Sequence, residues 1–411
     1  MDSFSGNLFR TVARKTSRRF LREALHGVVA RQSLRLSEIA RSLNEPIKLI
    51  KTENRLSRQA RREGLHEKIH DFVIGESAHR VHKNTLLVVD PSDVVKPYAE
   101  KMEHLARVRD GSKGGYGNGY WLCQVIAVEC GGHEITPLVN HLWSQAAPDH
   151  KSENTEVLSC IERVTGHVAS RGIWVMDRGG DRMSIMRELL RHERRFLIRL
   201  VGNRNLLYRG KPVLARELAQ RCSLPYTNVV TKQKNDGTEE RLELSFGMMP
   251  VRLPAFAHKP LCLVVVQGFP GGPIMTLTTE PLKKSRRSLQ WAIEAYLTRW
   301  RIEETLRFAK QSYALEDVRV MSYQALRNMM AVALLAMSFT MVWLGRKTKL
   351  AILAMHAITA AKRFFGVPDF KYYTLADGLC ELFRKTSARV YRGPPDLPPD
   401  PQLDIINFLS G

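Results

Sequence analysis

Residues 85–90, Thr-Leu-Leu-Val-Val-Asp, and residues 172–177, Gly-Ile-Trp-Val-Met-Asp, decide how this chain is read. Each is a short continuous apolar run ending in an aspartate. Such runs fit buried strands carrying a carboxylate at the C-terminal end. Between them, after a glycine-containing loop (Gly111, Gly114, Gly115, Gly117, Gly119), YWLCQVIAV and EITPLVNHLW extend the first run into a meander of three strands. A helical stretch from about Glu153 to Val168 then precedes the second run. Two strands thus each deliver an aspartate, Asp90 and Asp177, at the edge where open α/β sheets place their sites.

Working outward, RGGD turns into the helix DRMSIMRELLRHE, with Asp181 better placed than Asp177 to cap it. RFLIRL is a further strand. Residues 195–285 hold RLELSF, LCLVVVQ and PIMTLTT with few helical patterns, which predicts an inserted β-rich subdomain. A long helix is expected from about Arg287 to Lys310, followed by one containing the apolar run Met329 to Gly345. That run is shorter than the roughly 20 apolar residues a spanning helix needs and includes Ser338 and Thr340, so it reads as a buried core helix. Residues 346–411 read as a helical C-terminal region ending in RGPPDLPPDPQ, an extended Pro-rich linker or arm.

Residues 1–75 read as helical and basic, with 16 Lys+Arg against 8 Asp+Glu. Ser37 is positioned to cap EIARSLNEP and Pro46 to end it, one half of a helix-turn-helix. The whole chain of 411 residues is ordinary in being 44% hydrophobic and 25% charged, which excludes global disorder and collagen. Its net charge of +22 is not ordinary and favours a polyanionic partner. Six scattered cysteines without a C-x-x-C pair signal neither zinc nor a disulfide framework. The first 20 residues have no apolar leader core, so a cytoplasmic, nucleoid-associated protein without a membrane partner is expected.

Tyr296, Arg299, Glu303 and Lys310 occur at offsets 0, 3, 7 and 14. On one continuous helix they share a stripe roughly 60° wide, flanked on both sides by apolar positions including Leu297, Trp300, Ile302 and Phe308. A polar line between two apolar ones implies a helix packed on both flanks, with its charges facing something specific. Glu304 projects away from that line, and Trp300 is expected to pack rather than stack on a base.

The spacing Y-x-x-R-x-x-x-E-x-x-x-x-x-x-K, here YLTRWRIEETLRFAK, resembles the signature of the insertion-sequence-four family of bacterial DDE transposases, which includes the transposases of composite transposons five and ten. The resemblance extends to VVDPSD and VMDRGGD and to the long interval before Glu303, and covers roughly residues 80 to 345. It implies an α/β chain with a ribonuclease-H-like catalytic core over 80–345, interrupted by the insertion at 195–285. A helical DNA-binding domain over 1–75 and the helical region over 346–411 would flank that core. Asp90, Asp177 and Glu303 would be the catalytic metal ligands, holding two Mg²⁺ ions for which Mn²⁺ can substitute. Tyr296, Arg299 and Lys310 would bind DNA phosphates. The activity implied is cut-and-paste cleavage and strand transfer at terminal inverted repeats of double-stranded DNA, through a hairpin, by a homodimer.

Independently of that resemblance, three grouped acids repel one another and make chemical sense once cations fill the cluster. Two rivals stay open at this level. A tyrosine recombinase would use the H-x-x-R pair His192 and Arg195 with Tyr296 as nucleophile. A DNA-binding protein without catalysis would leave the acids idle. Arg107, Arg109 and Lys113 are either DNA contacts or solvated loop charges.

Overall fold

The computed structural model describes residues 4, 8, 12–111, 114–233, 239–359 and 370–386. The Pro-rich segment and Lys113 lie outside the described residues.

Four helices come first: α1 (Lys15–Arg31), α2 (Leu36–Leu43), α3 (Leu49–Ala60) and α4 (Leu65–Ser77). The α2 backbone crosses α1 at Gly27, where a Cβ would stand 2.8 Å from the Ile39 Cα. Only glycine allows that approach. Ser37 does not cap α2. It lies inside the helix, which starts one residue earlier, behind Arg35. The Ser33 hydroxyl accepts from the Arg35 amide at 3.2 Å and so sets the turn. The helix ends at Asn44, in the left-handed region at φ 46°, before Pro46 is reached. Part of the basic charge is used internally. Arg19 and Arg55 both pair with Glu23 and Glu45, and Glu23 is buried.

The sheet begins with β1 (Leu86–Val95), β2 (Ala106–Asp110), β3 (Gly115–Val128) and β4 (Thr136–Trp143). Ser152 caps α5 (Glu153–Val168), which leads to β5 (Ile173–Met176), α6 (Met183–Arg191) and β6 (Phe196–Arg199). The meander is present as β1–β3–β4, with β2 added at the free end of β3. β1, β5 and β6 run parallel, and their side chains alternate between two cores. Leu86, Val88, Ile173, Val175 and Leu197 enter one. Leu87, Val89, Trp174, Met176 and Ile198 enter the other. A sheet buried on both faces explains why these strands read as unbroken apolar runs.

Residues 205–278 supply β7 (Asn205–Tyr208), β8 (Lys211–Leu214), α7 (Ala215–Arg221), β9 (Tyr226–Gln233), β10 (Glu239–Leu253), β11 (Phe256–Gln267) and β12 (Ile274–Thr278). The region is strand-rich, as its sequence predicts. Its strands continue the same sheet, because β12 pairs antiparallel with β6. Among the described residues one twelve-stranded mixed sheet results.

The expected long helix is two helices, α8 (Arg286–Thr298) and α9 (Arg301–Ser312). At their junction the amides of Arg299, Trp300, Ile302 and Glu303 donate to carbonyls three residues back instead of four, a tightened 3₁₀ turn. Thr298 marks the break. Its hydroxyl donates to the Glu294 carbonyl and accepts from the Gly131 amide, back-bonding of the kind that bends helices. α10 (Tyr323–Ser338) continues into a π-helical turn at Phe339–Trp343, and this apolar helix is buried, as expected for a core element. α11 (Arg346–Thr359) and α12 (Tyr372–Thr386) follow.

Candidate active site

The parallel register pairs Leu86 with Ile173 and Val88 with Val175. Asp90 and Asp177 each stand two residues further on, so strand pleating brings them side by side on the face of Val88 and Val175. Asp90 is not at the end of its strand as expected, because β1 stays paired with β3 through Val95, and it marks instead where the pairing with β5 has ended. That face is covered by the cluster holding Ile302, Phe308 and Ala309 of α9. α9 therefore brings Glu303, in its first turn, to the same edge. Three distant segments converge by strand parity and one helix docking.

The electrostatics reflect this convergence. The Asp90 carboxyl is pushed up to about 7, chiefly by burial, then by the negative charges of Asp177 and Glu303, with Arg299 opposing. The Arg299 guanidinium donates to Glu303 Oε1 at 2.8 Å and is itself nearly buried. Burial works against its charge. Tyr296, Glu303 and Asp90 outweigh that and hold its pKa above the ordinary range. The guanidinium carbon stands 5.8 Å from the centre of the Tyr296 ring. Asp177 accepts from the Gly179 amide at 2.7 Å, which orients the carboxylate at the start of a 3₁₀ turn. Lys310 faces Asp93 of β1 at 3.5 Å and Glu316 at 2.9 Å.

Tyr296, Arg299 and Glu303 thus stay together across the helix break, and Lys310 sits two turns along, against β1. Glu304 points elsewhere, to Arg301 at 2.8 Å, as its projection predicts. Trp300 packs only in part, less than expected. The tightened turn leaves it 45% exposed. Asp181 does not cap α6. It accepts from the Val201 amide and pairs with Arg204, while Arg182 stands at the helix start.

The recombinase constellation is not assembled. Arg195 precedes β6 and is held by Glu280, while Tyr296 contacts Arg199 at the opposite end of that strand. His192, at the C-cap of α6, faces Glu188 of that helix. A tyrosine buried to 3% exposure is also badly placed as a nucleophile.

Two residues escaped the sequence reading. Arg199 ends the third parallel strand, on the face of Leu197, and donates to the Tyr296 hydroxyl at 3.3 Å. The signal that singled out Asp90 and Asp177, a polar residue closing an apolar strand, was present in RFLIR. Lys96 is buried, with Nζ donating to the carbonyls of Glu316 at 2.6 Å and Val318 at 3.1 Å. It ties the chain leaving α9 to the end of β1, and no sequence pattern marks it.

Among the described residues no three carboxylate, imidazole or thiol groups form a ready metal cage. The donor set nonetheless fits a hard divalent cation. It is all oxygen, from three elements, and Asp90 carries a charge its surroundings do not balance.

A search of curated proteins finds no match to the chain. Among solved structures, the piggyBac transposase synaptic complex with hairpin DNA is loosely similar, at 12% identity and a TM-score of 0.43. The match covers 99% of this chain and 80% of that one. A family model described as the transposase DDE domain matches residues 81–339, from the residues leading into β1 to the start of the π-helical turn. That span exceeds half of the chain and contains every residue of the candidate site, so the chain belongs to the transposase DDE domain family.

Proposed function

We propose that the protein is a metal-dependent DNA transposase of the insertion-sequence-four type, cutting at terminal inverted repeats and joining the freed ends to target DNA. The observation that carries this reading is the convergence of Asp90, Asp177 and Glu303 on one sheet edge, with Tyr296, Arg299 and Lys310 around them. The parallel strands β1, β5 and β6 with an antiparallel β3 support reading this part of the sheet as a ribonuclease-H-like core. In this reading residues 80–345 form the catalytic unit, 195–285 its insertion, 1–75 a DNA-binding unit and 346–411 a helical extension.

Asp90, Asp177 and Glu303 hold the divalent ions, Mg²⁺ with Mn²⁺ able to replace it. When bound, these ions neutralise charge on the attacking and leaving oxygens of a phosphodiester. The side chains do the rest. Asp177 is held by the Gly179 amide, so one ligand is preorganised. Arg299 keeps Glu303 at the edge and, released from it, offers two donors to a phosphate. Lys310 adds a charge beside Asp93, and Tyr296 keeps Arg199 facing the same pocket. Water attack at the transposon end leaves a 3′-hydroxyl. That hydroxyl attacks the opposite strand to close a hairpin, water reopens it, and the same hydroxyl attacks target DNA. The +22 charge suits the DNA partner, and a homodimer on paired ends completes the reading.

The test is incubation with DNA carrying the flanking inverted repeats, with and without Mg²⁺, followed by denaturing gels. Asp90→Asn, Asp177→Asn and Glu303→Gln should each abolish cleavage and leave end binding intact. Normal cleavage by any of them would remove that residue from the site.

A further inference from the structure

The β2–β3 hairpin reaches back to the acid edge and carries an exposed basic and aromatic face that the proposed chemistry does not use. Its strands pair from Ala106 with Gly119 to Asp110 with Gly115. Along β2 the even positions 106, 108 and 110 are buried, which turns Arg107 and Arg109 outward together. Tyr116 stands opposite Arg109, and the Arg107 guanidinium carbon lies 5.6 Å from the centre of its ring. The ring is 71% exposed. Among the described residues neither guanidinium has a carboxylate partner. Many arginines elsewhere in this chain do, including Arg19, Arg55, Arg195 and Arg204.

The hairpin is seated, not loose. A Cβ on Gly119 would stand 2.4 Å from the Val94 carbonyl oxygen, so its base lies directly on the end of β1. Gln145 Nε2 donates to the Arg107 carbonyl at 2.9 Å. At the turn, the Gly111 amide donates to Asp93 Oδ1 at 3.3 Å, while Asp93 Oδ2 faces Lys310. Asp93 therefore joins the hairpin tip to the helix that carries Glu303, three residues from Asp90.

We propose that this hairpin is a nucleic-acid platform. Arg107 and Arg109 take phosphates of an unpaired DNA strand, and the Tyr116 ring stacks on one of its bases, holding the strand where it leaves the acid edge. Unpartnered guanidinium groups beside an exposed ring are the combination that grips single strands, through charge for the backbone and a π face for the bases. This inference rests on the proposed DNA reading of the site.

The experiment uses the full chain in EDTA, with a fluorescein-labelled oligo-dT and an arbitrary-sequence duplex as probes, read by anisotropy across a salt titration. Far-UV circular dichroism confirms that each variant folds. Tyr116→Ala should weaken oligo-dT binding about tenfold and leave duplex binding nearly unchanged, the size expected for one lost stacking contact. The double variant Arg107→Gln with Arg109→Gln should flatten the oligo-dT salt slope by about 1.4, about 0.7 for each phosphate contact. A charge-matched control, Arg191→Gln with Arg221→Gln, removes two exposed cations from α6 and α7 and should leave that slope close to wild type. Hairpin variants that bind as wild type does, or a control that loses as much, would overturn the platform while leaving the acid site standing. A wild-type protein that binds neither probe would instead defeat the DNA reading as a whole.

Discussion

Replacing Asp90 by Asn should stabilise the cation-free protein while removing its chemistry. Asp90 carries an ordinary carboxyl value of 3.8 in the unfolded chain and about 7 when folded, because burial and the neighbouring acids disfavour its charge. A raised folded value means the native state binds the proton more tightly. The group therefore costs nothing well below pH 4, and its cost grows as pH rises, complete only above about 7. Three pKa units correspond to about 4 kcal/mol. The Glu303 side chain is half exposed, so water screens the repulsion and brings the expected gain to about 2–4 kcal/mol at pH 8. The assay is urea unfolding of wild type and Asp90→Asn in EDTA at pH 4 and pH 8. The stability gap should be near zero in acid and open in base. A variant no more stable than wild type at pH 8, or equally stabilised at both values, would refute the account of Asp90 as a buried charge pressed by Asp177 and Glu303.

Asn328 donates to the carbonyls of Ala60 and Arg62, both at 2.7 Å, and accepts from the His66 amide at 2.9 Å, fastening α10 to the α3–α4 junction. Asn328→Leu leaves the Ala60 carbonyl and the His66 amide without this partner, while the Arg62 carbonyl keeps Gln324 Nε2 at 3.4 Å. At about 1–3 kcal/mol for each orphaned group, denaturant unfolding should show a loss of about 2–6 kcal/mol. Burial holds His26 at about 4 and His70 at about 3. The unfolded chain therefore takes their protons first, and each should cost about 2 kcal/mol between pH 7 and pH 5, opposite in sign to Asp90. His26→Phe should remove its half of that acid loss in the same unfolding assay, and an unchanged slope would contradict it. Burial lowers Lys96 to about 8, so stability should rise between about pH 8 and pH 10 as the folded ammonium gives up its proton first. Lys96→Met should lose that rise relative to wild type in alkaline unfolding curves.

The strands that present the acids were legible because parallel strands covered on both faces leave an uninterrupted apolar signature. Asp177 does follow the end of β5, but β1 runs on past Asp90 to Val95 because its pairing with β3 outlasts the apolar run. The stripe from Tyr296 to Lys310 was legible in content but not in shape. A period of 3.6 describes one straight helix, whereas the amide bonds tighten to three residues back between Arg299 and Glu303, which divides the helix and leaves Trp300 partly exposed. Capping depended on single atoms that pattern cannot rank. Ser37 and Asp181 each suit a helix start, yet Ser33 and Arg204 take over the local bonding. The continuity of residues 205–278 with the central sheet rests on β12 meeting β6, a pairing across nearly eighty residues that no local signal carries. Lys96 was invisible for the same reason, since its partners are carbonyls more than two hundred residues away.

The central claim is that Asp90, Asp177 and Glu303 share one cation pocket. It is tested most directly by letting Fe²⁺ occupy that pocket in place of Mg²⁺ and generating hydroxyl radicals with ascorbate and peroxide. Peptide cleavage should then cluster at the three segments around residues 90, 177 and 303, be suppressed by excess Mg²⁺, and disappear from all three together in Asp90→Asn. Scission at only one of these segments, or at all three but indifferent to Asp90→Asn, would contradict the shared pocket.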